Sequence, residues 1–456
     1  MLKQESVYLD YMYRVYSLLI IICLGFISKA QDSYKFPPGT DQIEIPFQSA
    51  YNLIVLPVKV NGVELNMILD TGASKSIIFN LSGIDSLQVN KGNLLVVEGY
   101  GKGKTFSAYY SEGNTLDVNG YENKSANIFV AAEREIDLLP TLGFEVHGLL
   151  STQFFQDALV EVDYLSREVI LYKNPEAIKY KTRSMRKVPI TFVNGKPYTK
   201  GFFRNGSQEL PADLLIDLGS GDALWLLDIP ENFMKNNESF EDYLGFGMNG
   251  EVSGTRSKMD QLIFGNYQLN RLTTSQPGEG QFVEIIASEV EKSYTGSVGG
   301  EVLSRFDVIF DYARSILYLR PNDEFKYGFF YNMAGINIVA GEKELFTTVT
   351  DDRNRKVRGV YRTLENEKTI STSKQYSYSM VPRLFVNYVR PESPADLAGV
   401  QEGDEILKLN GVSKGNLTLD NTSSKFFKNP YSKIKLKVKR GEKELKFNFR
   451  LIPVIK

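Results

Sequence analysis

Histidine and cysteine are almost missing from this chain of 456 residues, which has one of each, His147 and Cys23. Zinc sites built from Cys and His are therefore excluded within a single chain. So are a Cys-His dyad and any Ser-His-Asp triad that does not use His147. His147 stands beside Gly148-Leu149-Leu150, a stretch that reads as buried, and a lone imidazole there points to a structural role. Neither sign of charge dominates. Lys and Arg number 53 and Asp and Glu 55, so the net charge of −2 offers no general attraction to nucleic acid. If the chain hydrolyses anything, carboxylates are the natural carriers of that chemistry.

Long apolar runs are scarce as well. Residues 18–27 form an apolar run of ten, too short for a membrane span but suited to a signal-peptide core. Ser28-Lys29-Ala30 follows as a small-x-small cleavage site, which makes Gln31 the expected mature start. Glu5 and Asp10 dilute the positive charge expected before such a core, so Met12 is the better start. Cys23 lies inside this segment, and the mature chain then has no cysteine. It is then expected to be exported, to a periplasm or beyond, without disulfides, as a chain with enough core can be.

What the chain does have is an Asp-Thr-Gly triplet ending an apolar run, Met67-Ile68-Leu69-Asp70-Thr71-Gly72-Ala73-Ser74. A near copy follows 147 residues later, Leu214-Leu215-Ile216-Asp217-Leu218-Gly219-Ser220. The copy extends further. Leu149-Leu150-Ser151, Phe154-Phe155 and Asp163-Tyr164 find counterparts in Ser297-Val298-Gly299, Val302-Leu303 and Asp311-Tyr312. The two Asp-Tyr pairs are 148 residues apart, so both ends of the unit keep one spacing. This predicts two copies of one domain, each about 145 residues. Two carboxylates brought face to face cannot both ionise, so they share a proton and divide acid and base roles.

Each unit opens with the same pattern. Residues 41–47 alternate as a half-buried strand, residues 53–60 follow, and Asn61-Gly62 reads as a hairpin turn before the strand that delivers Asp70. Unit two has a strand over 188–193, Asn194-Gly195, a strand through Phe202-Phe203, then Asn205-Gly206 and the strand ending at Asp217. A Gly-rich hairpin follows each triplet, with Gly99, Gly101 and Gly103 in the first and Gly245 and Gly247 in the second. Gly103-Lys104-Thr105 is no phosphate loop, because Glu98 stands where that pattern needs Gly and a strand follows instead of a helix.

Residues 341–381 are polar and irregular and read as a solvated loop or loose hairpin. Beyond them the character changes. Pro391 to Gly399 predicts a short helix with Ser393 as N-cap and Gly399 as stop. Ile434, Leu436 and Val438 alternate with lysines, giving a strand with one basic, solvated face.

At Asp70-Thr71-Gly72-Ala73 and Asp217-Leu218-Gly219-Ser220 the chain resembles the aspartic peptidases, especially the retropepsin-like lobes of bacterial exported proteins, over residues 40–325. The resemblance implies a mostly β molecule. Two closed β lobes pack about a pseudo-two-fold axis, Asp70 and Asp217 meet at a cleft floor, and the Gly-rich hairpins act as flaps over an extended polypeptide substrate. Ser393-Pro394-Ala395, Ala398-Gly399-Val400, Gly403-Asp404-Glu405-Ile406 and Asn410-Gly411 resemble a PDZ domain, an α+β, partly open barrel. That likeness makes Gly335, Ile336, Asn337 and Ile338 the carboxylate-binding loop and first groove strand, for a peptide or protein segment added at a sheet edge. Residues 341–381 are then an insertion. The expected order is a signal peptide (1–30), lobe 1 (31–176), lobe 2 (177–325) and the PDZ domain (326–456). A monomer is expected, with no cofactor, no metal, and no stable membrane span after signal cleavage.

The implied reaction is endopeptidase cleavage by a water activated between Asp70 and Asp217, with Thr71, Gly72, Ala73, Leu218, Gly219 and Ser220 supporting the site. Ser220 could donate to Asp217 where Ala73 cannot donate to Asp70, so Asp70 is expected to hold the shared proton more often. Leu218 departs from the family's Thr or Ser, leaving Thr71 without a mirror partner, and Ser151 replaces a usual Gly. The rival reading is a peptidase-like binding protein that holds exported polypeptides without cutting them.

Overall fold

The computed structural model describes residues 32–97, 106–132, 136–278, 294–351, 374–427 and 429–455. The expected leader and the first Gly-rich tip, with Gly99, Gly101 and Gly103, lie outside them. Among the described residues no helix is long and apolar enough to cross a membrane.

The chain is mostly β, and its two halves build the same sheet twice. In the first, the order is Gln48–Ala50, Leu53–Val60, Val63–Leu69, Gly148–Leu150, Ser76–Ile78, Tyr121–Ala131, Phe106–Val118 and Leu94–Val97. In the second it is Thr191–Val193, Lys196–Asn205, Gln208–Ile216, Gly296–Val298, Leu224–Leu226, Tyr267–Pro277, Gly250–Phe264 and Ser239–Gly247. One extra pairing closes each sheet on itself, Leu53–Val60 with Phe106–Val118 and Lys196–Asn205 with Gly250–Phe264. The turns are those the sequence asks for. Asn61 and Gly62 both have positive φ (49° and 87°), as do Asn194 and Gly195 (51° and 79°), which is the twist a two-residue hairpin needs.

A third sheet of six strands joins the halves. Gln42–Pro46, Glu168–Tyr172 and Leu159–Asp163 come from one side, and Phe306–Asp311, Ile316–Pro321 and Arg186–Pro189 from the other. At the seam Leu159 pairs with Asp311 and Val162 with Val308, antiparallel. The segments that contain the repeated Asp-Tyr motif thus pair across the two-fold axis. Phe155 stacks on Tyr312 at 5.4 Å and meets Phe310 edge-on at 5.1 Å, so the inter-lobe core is aromatic. Residues 188–193, expected as one strand, are two. Arg186–Pro189 joins the six-stranded sheet and Thr191–Val193 joins the second lobe, because the chain changes sheets at Ile190.

The C-terminal domain has its own core around Ile336, Ile338, Val386, Ile406, Leu436, Val438 and Phe426. Its sheet runs Ile336–Asp351, Lys374–Val389, Glu405–Leu409, Lys433–Arg440, Lys443–Arg450. The helix Pro394–Ala398 starts where expected, with Ser393 Oγ accepting from Asp396 N–H and Gly399 stopping it at φ 92°. The described residues of the polar stretch form a hairpin, one of the two expected forms. Lys343–Asp351 pairs with Lys374–Pro382 as an extension of the first two strands. Leu345, Tyr376, Tyr378 and Met380 are exposed on it.

Candidate active site

Each triplet sits at the end of a central strand that is held by a parallel neighbour. Val63–Leu69 lies beside Gly148–Leu150, and Asp70 N–H donates to the Leu150 carbonyl at 2.9 Å. Gln208–Ile216 lies beside Gly296–Val298, and Asp217 N–H donates to the Val298 carbonyl at 3.0 Å. The chain then turns back on its own carboxylate. Gly72 N–H donates to Asp70 Oδ1 at 2.7 Å, and Gly219 N–H to Asp217 Oδ1 at 2.9 Å. The two loops are therefore the same loop made twice.

They meet. A methyl added at Gly72 would stand 2.8 Å from Asp217 Oδ1, and one at Gly219 would stand 2.3 Å from Asp70 Cγ. Each glycine thus leaves room for the other loop's carboxylate, and no larger residue can do so without displacing it. The methyl at Gly72 would also stand 3.1 Å from Asp70 Oδ1, so the two carboxyls converge on one point. Burial holds both carboxyls above the usual carboxylate range. For Asp70 burial is the largest cause and the Asp217 charge the next, and together they push it up to about 7. For Asp217 burial is opposed by the Gly219 amide and then by the Ser297 hydroxyl.

The structure brings Asp70, Thr71, Gly72, Leu218, Gly219 and Asp217 together and corrects one expectation. Thr71 has no mirror hydroxyl, since Leu218 has none to offer, but it is bonded to backbone. Its hydroxyl donates across the interface to the Ile216 carbonyl at 2.7 Å and accepts from Leu218 N–H at 2.9 Å. The backbone of position 218 does that work, so its side chain is free to enter the core, where it is fully buried. Ser220, however, is not the hydroxyl bound to Asp217. Ser297 Oγ donates to Asp217 Oδ2 at 3.2 Å, while the Ser220 carbonyl accepts from Gly300 N–H. Ser297 reaches the carboxylate because its strand runs parallel to the one ending in Asp217, with Leu215 opposite. The matching position in the first lobe is Leu149, opposite Ile68, which has no hydroxyl to offer. Ala73 accepts from Thr152 N–H through its carbonyl. Ser151 is buried and bonded to Ser76, so it fills the place of a glycine without an unpaired hydroxyl.

Sequence reasoning missed Ser297 and Lys196. Lys196 opens the strand after the Asn194-Gly195 turn, and its ammonium favours the ionised form of both carboxyls. The only available signal was position, one residue past a hairpin turn. His147 is buried and structural. Asn66 N–H donates to its Nδ1 at 2.9 Å, and Nε2 faces the Ser82 carbonyl. No cluster of metal-ligating side chains occurs among the described residues.

Gly245 and Gly247 lie in the second Gly-rich hairpin, Ser239–Gly247 against Gly250–Phe264, with a bulge at Tyr243/Gly245. Met248 at its tip packs on first-lobe residues, so this hairpin crosses from one lobe to the other. Its base is fixed by Arg256, which donates to Asp242 at 2.9 Å and to Asp222 at 3.3 Å. For the first hairpin, Val97 pairs with Phe106 beneath the tip. Gly335 and Ile336–Ile338 begin the edge strand of the C-terminal sheet, and Arg390 N–H donates to the Gly335 carbonyl.

Residues 56–154 match a family model described as aspartyl protease, and residues 385–440 match a PDZ domain model. A search of curated proteins finds no match. Among solved structures, the aspartic proteinase from Irpex lacteus aligns over 62% of this chain and 98% of its own, at 13% identity and a TM-score of 0.42.

Proposed function

We propose that this chain, an aspartyl protease-like pair of lobes joined to a PDZ domain, is an exported aspartic endopeptidase. The observation that carries the reading is the reciprocal fit of Gly72 against Asp217 and Gly219 against Asp70. Two carboxyls kept in contact and above their ordinary range hold one proton between them in weakly acidic solution. The ionised member takes a proton from a water as it attacks the peptide carbonyl, and the protonated member donates to the carbonyl oxygen. Ser297 favours charge on Asp217, and the matching position of the first lobe is Leu149, so Asp217 starts as base and Asp70 as acid. An extended polypeptide is the substrate, under the hairpin tipped by Met248. Export rests on the apolar run at 18–27 and the Ser28-Lys29-Ala30 site.

The test is incubation of residues 31–456 with an unfolded protein between about pH 4 and 7, the range in which one shared proton is expected. An Asp70→Asn chain is run beside it. Cleavage by the first alone supports the reading. Cleavage by both, or by neither, removes it, and binding without cleavage would favour the peptide-holding alternative.

A further inference from the structure

The C-terminal domain has a groove with two walls. One is the edge strand at Ile336–Ala340, paired on one side only, with Lys374–Val389. The other is the helix Leu419–Ser423. Ile336, Ile338 and Leu419 are buried in the domain's own core, at 0%, 3% and 2% exposed. The first lobe lies against this groove. Its short helix Leu139–Leu142 runs close to the strand that begins at Ile336. Gly143, which ends that helix at φ 83°, faces Leu419 so closely that a methyl there would stand 3.1 Å from Leu419 Cβ. Residues 139–143 therefore touch both walls.

This contact does not use the edge. No backbone hydrogen bond joins residues 138–143 to the strand at 336–340 among the described residues. Asn332 Nδ2 reaches the Ile336 carbonyl from inside the same domain. An extended peptide would form ladder hydrogen bonds that the resident helix does not form.

The docked segment is tied to both halves of the site described above. Six residues beyond Leu142 begins the strand Gly148–Leu150, whose last carbonyl holds Asp70 N–H. On the helix side, Tyr51 hydroxyl and Ser423 Oγ are hydrogen-bonded at 2.9 Å. The neighbouring Asn52 donates to the Gly221 carbonyl at 3.0 Å, two residues past Gly219. Arg167 and Asp420 add an exposed ion pair at the same boundary.

We propose that residues 138–143 are the resident occupant of the PDZ groove, and that an extended peptide adding to the edge at Ile336–Ala340 displaces them and loosens the Asp70 loop. The exchange is competitive within one molecule. Apparent affinity is the intrinsic affinity scaled by the fraction of molecules whose groove is open. Weakening the docking from the lobe side must tighten peptide binding, although no groove residue changes.

The experiment uses the Asp70→Asn form of residues 31–456, so that the probe is not consumed. The probe is a fluorescein-labelled octapeptide of alternating Val and Thr with a free carboxylate. A version with Pro at two central positions cannot form the ladder. The Tyr51→Phe/Arg167→Ala double variant, which loses one hydrogen bond and one exposed ion pair, should bind the first peptide about five- to tenfold tighter than the parent. The Pro version should bind neither. Hydrogen exchange read by mass spectrometry should show protection at 336–340, and faster exchange at 138–147 and in the segment around position 70, when peptide is added. Equal affinity for both chains overturns the proposal, as does protection at 336–340 with unchanged exchange at 138–147. Absence of binding to either chain overturns it as well. No arm depends on cleavage, so failure here leaves the peptidase reading standing, and failure of that reading leaves this one testable.

Discussion

Replacing Ser297 with Ala tests the division of labour between the two carboxyls. Ser297 is 5% exposed and donates to Asp217 Oδ2 at 3.2 Å. Hydrogen bonds to charged groups contribute about 1.5–3 kcal/mol when short. At 3.2 Å this one is long for a bond to a carboxylate, so about 1 kcal/mol is the reasonable value. One pKa unit corresponds to about 1.4 kcal/mol, which gives a shift of about 0.5–1 unit. The sign is fixed. A donor stabilises the ionised form, so its loss raises the first macroscopic pKa of the pair. Below that pKa both carboxyls are protonated and no base remains. The acid limb of kcat/KM against pH should therefore move up by about 0.5–1 unit, with the plateau little changed. The mirror change, Leu149→Ser, offers Asp70 a donor and should draw the alkaline limb down. An acid limb that stays in place in Ser297→Ala, or moves to lower pH, would refute the assignment of Asp217 as the ionised partner.

Further outcomes follow from the same geometry. Gly219→Ala places a methyl on the Asp70 carboxyl, so activity should fall at least a hundredfold, on the order expected when acid–base groups are misplaced, while circular dichroism stays native. Both dyad carboxyls are raised by folding, so between the ordinary carboxylate pKa and about 7 the native state binds more protons than the unfolded chain and loses stability as pH rises. Asp70→Asn should accordingly raise the melting temperature more at pH 7.5 than at pH 4, and an equal effect at both would contradict the raised values. Arg256 is buried between Asp242, Asp222 and Ser275. Arg256→Met leaves Asp222 without this cation and Asp242 with only Arg390, at 3.7 Å, and should cost about 3 kcal/mol in urea unfolding. Lys196→Met removes the cation near the dyad and should move the acid limb up, in the same sense as Ser297→Ala.

Much of the fold was legible because its signals are local. The Asn-Gly turns, the apolar strand before each Asp, the Ser393 cap and the Gly399 stop are each fixed by a few adjacent residues. The duplication was legible because the same spacing recurs over 147 residues. The break at Ile190 was not, since an unbroken apolar run says nothing of which sheet each half will join. The Ser220 expectation failed for a related reason. It looked along the chain for a hydroxyl that a neighbouring strand supplies, from 80 residues away.

By itself, then, the sequence set which carboxyls could act and excluded most rivals, through one histidine, one cysteine and a repeated triplet. It also set the local geometry, since a glycine two residues past each Asp returns an amide to the carboxyl in both lobes. Only the tertiary structure decided how the two lobes differ, which hydroxyl serves Asp217, and that Leu218 contributes a backbone amide while its side chain joins the core. It alone placed residues 139–143 against the groove of the third domain. The reason is physical. Turns and caps are satisfied by neighbours in sequence, whereas a buried hydroxyl or a covered sheet edge is satisfied by whatever the folded chain brings to it.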